Sequence, residues 1–255
     1  MLRGIIFVYG LAVYTLFLAV SLYAVGFIAG LEVPVGIDAP SSLGTGLAVI
    51  VDLALLGLFG LQHSVMARGW FKRRWTRIVP PAAERSTYVL LASLVLALLM
   101  WQWQGLPQPV WEVAGTAGRT VLWILYASGW VIVLGATFMI SHTDLFGLRQ
   151  VWHSLRDTTP PPVPFRARLL YRLVRHPLML GFVVVFWATP HMTVGHLLFA
   201  AASAAYILLA LQLEERDLVR HLGARYLEYR RRVPMLLPLR LPGRGGRPGI
   251  HDRDQ

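Results

Sequence analysis

Apolar and polar positions in this chain fall into long, nearly uncharged blocks separated by short charged ones. Four blocks stand out: Gly4 to Gly30, Leu43 to Leu61, Ser86 to Trp101 and Thr120 to Ser141. A helix needs about 20 apolar residues to cross a bilayer core of roughly 30 Å. With a little flanking sequence each block meets that requirement. The pattern predicts membrane helices over about Ile5–Ala29, Leu43–Met66, a third ending at Trp101 and Trp103, and Thr120–Ser141.

Two further apolar segments follow. Proline favours the first helical turn, so Pro177 begins a helix, and Pro190 ends it near Thr189. Those 13 residues rise only about 20 Å, too little to cross. Val194 to Leu213 has 20 residues and can span. The four residues Pro190–Thr193 form an outer turn. Beyond Leu213 the helix is expected to continue, because Leu218, Leu222, Tyr226 and Tyr229 recur at i, i+4, i+8 and i+11. The predicted fold class is all-α. It is a polytopic transmembrane helical bundle of four full spans plus a C-terminal helical hairpin (short leg, long leg) and a cytoplasmic amphipathic helix. Residues 1–240 read as one integral membrane domain, with 175–238 as its cofactor-binding half. Residues 241–255 read as a flexible basic tail.

Composition agrees with the pattern. Of 255 residues, 56% are hydrophobic and 15% charged, too apolar for an ordinary soluble domain. The first block is longer than the apolar core of a signal peptide and reads as a retained helix. The net charge of +11 raises the question of nucleic acid, and its distribution answers it. Six Lys or Arg lie between Arg68 and Arg85, six between Arg149 and Arg175, and ten from Arg216 to Arg253, while the alternate loops have none. This follows the positive-inside rule. Both termini and the two basic loops are expected in the cytoplasm, against anionic headgroups, with no nucleic-acid partner. Arginine supplies 23 of the 24 cations, which suggests a bacterial chain and the inner membrane. There is no cysteine, so a cysteine nucleophile and thiolate-bound zinc are excluded.

Polar groups at the inner helix ends carry the candidate chemistry. His63 stands near the cytoplasmic end of the second helix, and imidazole titrates near neutrality. Arg85 precedes the third helix, which Ser86 or a neighbour can cap. His142 and Asp144, below the fourth helix, are expected to share one polar site with His63. Asp52, deeper in the membrane, reads as a structural group with a buried partner. The proline-rich connection around Pro160–Pro162 and Pro164 reads as a lid or as a stiff spacer.

Because the short leg cannot span, Arg175-His176-Pro177 should lie below the surface in a polar pocket, where free helix N–H groups favour an anion. Glu214 and Glu215 leave the membrane at the same level. Such a pocket offers cationic partners to a carboxylate, and carboxylates to a hydroxyl pair or ammonium. S-adenosylmethionine displays all of these groups, as do other ligands.

Arg175-His176-Pro177-Leu178-Met179-Leu180-Gly181 resembles the R-H-P-x-Y-x-G motif of the isoprenylcysteine carboxyl methyltransferase superfamily. Glu214, Glu215, Leu218, Leu222-Gly223, Tyr226, Tyr229, Val233-Pro234 and Pro238 resemble its second motif. Met179, Leu222 and Met235 stand where that superfamily has tyrosine, phenylalanine and arginine. The last departure steers away from prenyl-cysteine carboxyl methylation. Gln62-His63-Ser64, Glu84-Arg85-Ser86-Thr87-Tyr88, Asp144 to Gln150 and Trp187-Ala188-Thr189-Pro190 are similar to the bacterial methanethiol S-methyltransferase branch.

The resemblance implies methyl transfer from S-adenosylmethionine to methanethiol, a small thiol, giving dimethyl sulfide. It implies a cofactor site of Arg175, His176, Pro177, Leu178, Gly181, Glu214, Glu215, Tyr226 and Tyr229. An acceptor site would take His63, Arg85 and His142 as catalytic groups, with Gln62, Ser64 and Asp144 as substrate contacts and no metal. Competing readings are a same-fold enzyme acting on hydrogen sulfide, a prenyl-cysteine or a lipid amine, and a non-enzymatic membrane transport or assembly protein.

Overall fold

A computed structural model describes residues 1–161 and 169–238. The tail beyond 240 and most of the proline-rich connection lie outside the described residues. Among the described residues, five helices are long and apolar enough to cross a membrane: α1 (Leu2–Ala29), α2 (Thr45–Ala67), α4 (Pro81–Gln102), α5 (Thr116–Ile140) and α10 (Val194–Leu222). Between them lie α3 (Gly69–Trp75), strand β1 (Pro109–Glu112), α6 (His142–Leu145), α7 (Leu148–Leu155), α8 (Leu170–Leu173), α9 (Pro177–Trp187) and β2 (His191–Thr193). After α10 comes α11 (Ala224–Arg232). The all-α polytopic bundle is the one expected, with α9 as the short leg and α10 as the long one.

Each boundary has a local cause. Pro81 is the first residue of α4 and Pro177 the first of α9, both at the position where a missing N–H costs nothing. Gly30, at φ +64°, ends α1 in the left-handed conformation. Thr193 caps α10 by accepting from the His196 N–H at 3.1 Å.

Four local expectations are corrected. Ser86 caps nothing: α4 begins five residues earlier, and Ser86 is fully buried inside it. Its backbone meets Gly147, where a Cβ would lie 2.6 Å from Ser86 Oγ. The short leg stops at Trp187, two residues before Thr189. The outer turn is a strand, since β2 pairs antiparallel with β1 and joins the two outer loops. Finally, the helix after Leu213 is not continuous. Gly223 breaks it at φ +57°, so Leu222 closes α10 while Tyr226 and Tyr229 belong to α11.

The core gathers α1, α4, α5, α9 and α10 around Phe27, Leu99, Trp103, Tyr126, Val185, Phe199 and Leu211. Lipid-facing residues stay apolar and exposed, as Leu22, Ile50, Val131 and Leu209 do. The closest helix crossing is α5 on α9. A Cβ on Gly129 would lie 3.0 Å from Gly181 O, and one on Gly181 would lie 2.8 Å from Gly129 O. Small residues at such a crossing let backbones approach. Gly60 serves α2 and α10 in the same way, beneath the Tyr206 ring, whereas Gly57 has open space. Asp52 is fully buried and accepts the Gln104 N–H at 2.9 Å, the structural partner its depth suggests.

Candidate active site

The C-terminal half of the site is organised by a short leg that starts inside the protein. The Arg175 N–H donates to Pro234 O at 2.9 Å and the His176 N–H to Met235 O at 3.2 Å. The segment after α11 is thereby laid along the entry to α9. Arg175 Nε donates to Glu215 Oε1 at 2.6 Å, and Nη1 donates to the carbonyls of Val233 at 2.6 Å and Arg230 at 3.0 Å. His176 Nε2 lies 3.3 Å from the same carboxylate oxygen, and Arg230 Nε lies 3.4 Å from Oε2. The Arg175 and Glu215 side chains are only 8% and 6% exposed. Truncating one partner of such a pair strands the other charge in the interior.

Arg175, His176, Glu214 and Glu215 therefore converge, but in different states. Arg175 and Glu215 are spent on each other. Glu214 remains 53% exposed, with His176 Nδ1 at 3.9 Å. Beside them lies an open hollow of about 570 Å³ lined by Arg175, Leu227, Arg230 and Arg231. Its cationic wall suits a carboxylate. The first-turn N–H groups of Leu178 and Met179 have no partner within α9 and add to that preference.

Tyr226 and Tyr229 stand in tilted contact, ring centres 5.9 Å apart, and the Tyr229 hydroxyl donates to Tyr171 O at 2.6 Å. Burial, aided by the Glu215 charge, pushes the Tyr226 phenol up to about 12. Burial does the same to Tyr229, also to about 12, against the opposing Arg175 charge. Both are neutral donors at physiological pH. Gly181 is buried against Gly129 and Val133 of α5, where it serves helix packing.

The other half is built from the C-terminal ends of α2 and α5, the N-terminal end of α4, and α6. His63 stacks on Phe59 at 5.5 Å. The Tyr88 hydroxyl lies 3.0 Å from its Nδ1 and 2.9 Å from its Nε2. The Arg85 guanidinium sits 4.9 Å over the Tyr88 ring, and its Nε donates to Leu145 O at 2.7 Å. Ser64 meets the Tyr206 hydroxyl of α10 at 3.0 Å, and Arg68 pairs with Asp217 of the same helix at 2.6 Å. α10 thus carries the wall common to both halves. Gln62 donates to Met66 Sδ at 3.1 Å, and its Oε1 is buried without a partner.

His142 does not share a hydrogen-bonded site with His63. Its Nδ1 lies 2.9 Å from Thr137 Oγ1, and Thr137 spends its only proton on Leu134 O at 2.7 Å. Thr137 can then only accept, so Nδ1 carries the hydrogen and Nε2 accepts from Tyr14 at 2.7 Å. The ring is stacked on Phe138 at 4.4 Å. Both nitrogens are engaged, and burial lowers the pKa below the ordinary imidazole value. His142 thereby links α1 to α5. Asp144 is also held locally, by Gln150 at 3.1 Å and Arg149 at 3.6 Å. Among the described residues no group of three His, Asp or Glu can hold a metal ion.

Sequence reasoning missed Tyr88 and Tyr206. Tyr88 lies three residues after Arg85, a spacing that places both on one helix face and marked it in advance. Tyr206 sits in a uniformly apolar stretch and carried no signal.

Known proteins can now be set beside this geometry. The family model described as NnrU protein matches residues 52–216. A methanethiol S-methyltransferase of Mycobacterium tuberculosis is 56% identical over 238 residues, 93% of this chain and 98% of that protein. Methanethiol S-methyltransferase 2 of Bradyrhizobium diazoefficiens is 53% identical over 236 residues, 92% of this chain and 91% of that protein. Rat nurim is 32% identical over 176 residues, 66% of each chain. No solved structure matches the chain. The chain belongs to the NnrU family and to the methanethiol S-methyltransferase family.

Proposed function

We propose that this protein methylates methanethiol to dimethyl sulfide, with S-adenosylmethionine as methyl donor, at the cytoplasmic side of a bacterial inner membrane. The observation that carries the reading is identity of 56% over 238 residues, 98% of a methanethiol S-methyltransferase. Bound S-adenosylmethionine would supply an electrophilic methyl group on a sulfonium. The chain's own groups suit its other ends. Arg230, Arg231 and the start of α9, at Pro177 and Leu178, would receive its carboxylate. Glu214, half exposed, would receive hydroxyls. Arg175, His176 and Glu215 would hold that wall in shape, with Tyr226 and Tyr229 behind it.

A thiol is a poor nucleophile until it loses its proton. His63 would accept that proton. Arg85 favours the resulting thiolate by charge, since its Nη groups meet no protein acceptor among the described residues. Gln62 and Ser64 line the approach, and Asp144 braces Arg149 at the edge. Alignment and exclusion of water supply much of the acceleration. The basic segment after α2, with Trp70 exposed and Arg74 5.9 Å over its ring, would rest among anionic headgroups.

The test is purified protein with methyl-labelled donor, offered methanethiol, hydrogen sulfide and a prenyl-cysteine analogue in parallel. Label appearing in headspace dimethyl sulfide is expected. Label only in another acceptor, or in none, overturns the reading.

A further inference from the structure

The group that decides how His63 meets a thiol is neither of the residues flanking it in sequence. Tyr88 is 7% exposed, and among the described residues its hydroxyl has one hydrogen-bond partner, the His63 imidazole. The oxygen is nearly equidistant from the two ring nitrogens, at 3.0 and 2.9 Å, so a small rotation of the ring commits it to either one. Phe59 packs on one face of that ring at 5.5 Å, and Arg85 holds the Tyr88 ring from its other side at 4.9 Å. The Arg85 side chain is itself tied to α6 through Leu145 O. The hydroxyl's position is thus fixed from three helices, in a place where a phenylalanine would pack equally well.

We infer that Tyr88 is a positioning residue for His63: its hydroxyl engages one ring nitrogen, sets the tautomer, and turns the other nitrogen toward the acceptor thiol. This rests on the thiol methyl-transfer reading above. In the step, the S–H bond breaks, its electron pair stays on sulfur, and the proton joins the imidazole nitrogen that the Tyr88 hydroxyl leaves unengaged once the ring has turned to one of the two. The imidazolium returns it to water when the product leaves. Charged and titratable groups acting on the Tyr88 hydroxyl are Arg85 and Glu84 from α4 and Tyr206 from α10, with His63 facing it from α2.

Tyr88→Phe removes one oxygen and keeps the ring. For methanethiol, kcat should fall on the order of 10- to 100-fold, within the range ascribed to a well-placed proton acceptor. Donor affinity, read by titration calorimetry, should not change. With an arenethiol, largely ionised at neutral pH, the loss should shrink to about 3-fold or less, because little proton removal is then needed. The second readout needs no donor. In protein labelled with ¹⁵N-histidine, His63 should show one hydrogen-bonded tautomer, and Tyr88→Phe should move its resonances toward a tautomer mixture while those of His142 stay put.

An equal loss with both thiols, no loss at all, or unmoved His63 resonances overturns the inference. If Tyr88→Phe does not fold, the native protein decides alone, since a tautomer mixture at His63 overturns it. Native protein that methylates no thiol overturns the reading beneath, and the inference with it. Native protein that is active while the variant is unaltered overturns the inference only.

Discussion

The two halves of the site are held by different physics. The C-terminal half is ionic: Arg175, Glu215, His176 and Arg230 form one network, closed by backbone bonds to Pro234 and Met235. The half formed by α2, α4 and α5 is chiefly aromatic, with the one cation Arg85 laid over Tyr88: Phe59, His63 and Tyr88 form one group, Tyr14, Phe138 and His142 another. On the proposed reading the ionic half would grip a charged donor, and it is costly to break. The aromatic half would exclude water and offer one titratable ring to a small apolar acceptor. The contrast teaches that stability and donor binding should be lost together in one half, while turnover alone should be lost in the other.

The largest expected effect comes from breaking the network. Arg175→Ala leaves Glu215 buried without its nearest cation and should destabilise the protein by about 3–5 kcal/mol. Thermal unfolding in lipid nanodiscs reads it, and Arg175→Met with Glu215→Leu should recover much of the loss while donor binding stays absent. Next is Gly181→Val, which forces α9 off α5 at a crossing where even a Cβ would lie 2.8 Å from Gly129 O. Overpacking of this kind costs about 1–3 kcal/mol, and the same unfolding measurement checks it. Glu214→Gln should leave the melting temperature unchanged and weaken donor affinity by about tenfold, near the 1.4 kcal/mol that one charged hydrogen bond contributes. Titration calorimetry would show it.

The smallest effect is a pH slope from His142. Its folded pKa is lowered by burial, so between that value and about 6.5 the unfolded chain binds more protons than the folded one. Stability from this group is complete above about 6.5 and is lost as pH falls below it. His142→Phe should flatten that slope in unfolding runs from pH 7 to 5.

Much of the fold was legible because the bilayer imposes a simple rule of length and polarity. Spans of α1, α2, α4, α5 and α10 follow from apolar runs, and the short leg from the distance between Pro177 and Pro190. The ionic half was legible because its charges sit in two dense motifs flanking one hairpin. What stayed hidden depends on partners distant in sequence. Strand β2 exists because β1 lies beside it, and Ser86 is interior because Gly147 packs on it. The break at Gly223 needed φ +57°, which a helical periodicity running through Leu222 and Tyr226 concealed. The contacts of His142 were hidden because Tyr14 and Thr137, on other stretches of chain, meet its two nitrogens. Gly181 lay inside a ligand motif, yet its open side faces α5.

The separation of the halves is tested most directly by one paired measurement on His63→Ala, with donor affinity by calorimetry and labelled methyl transfer to methanethiol on the same sample. The account predicts native donor affinity with turnover reduced by about 100-fold or more. Loss of donor affinity alongside turnover, or turnover left at the native rate, would contradict it.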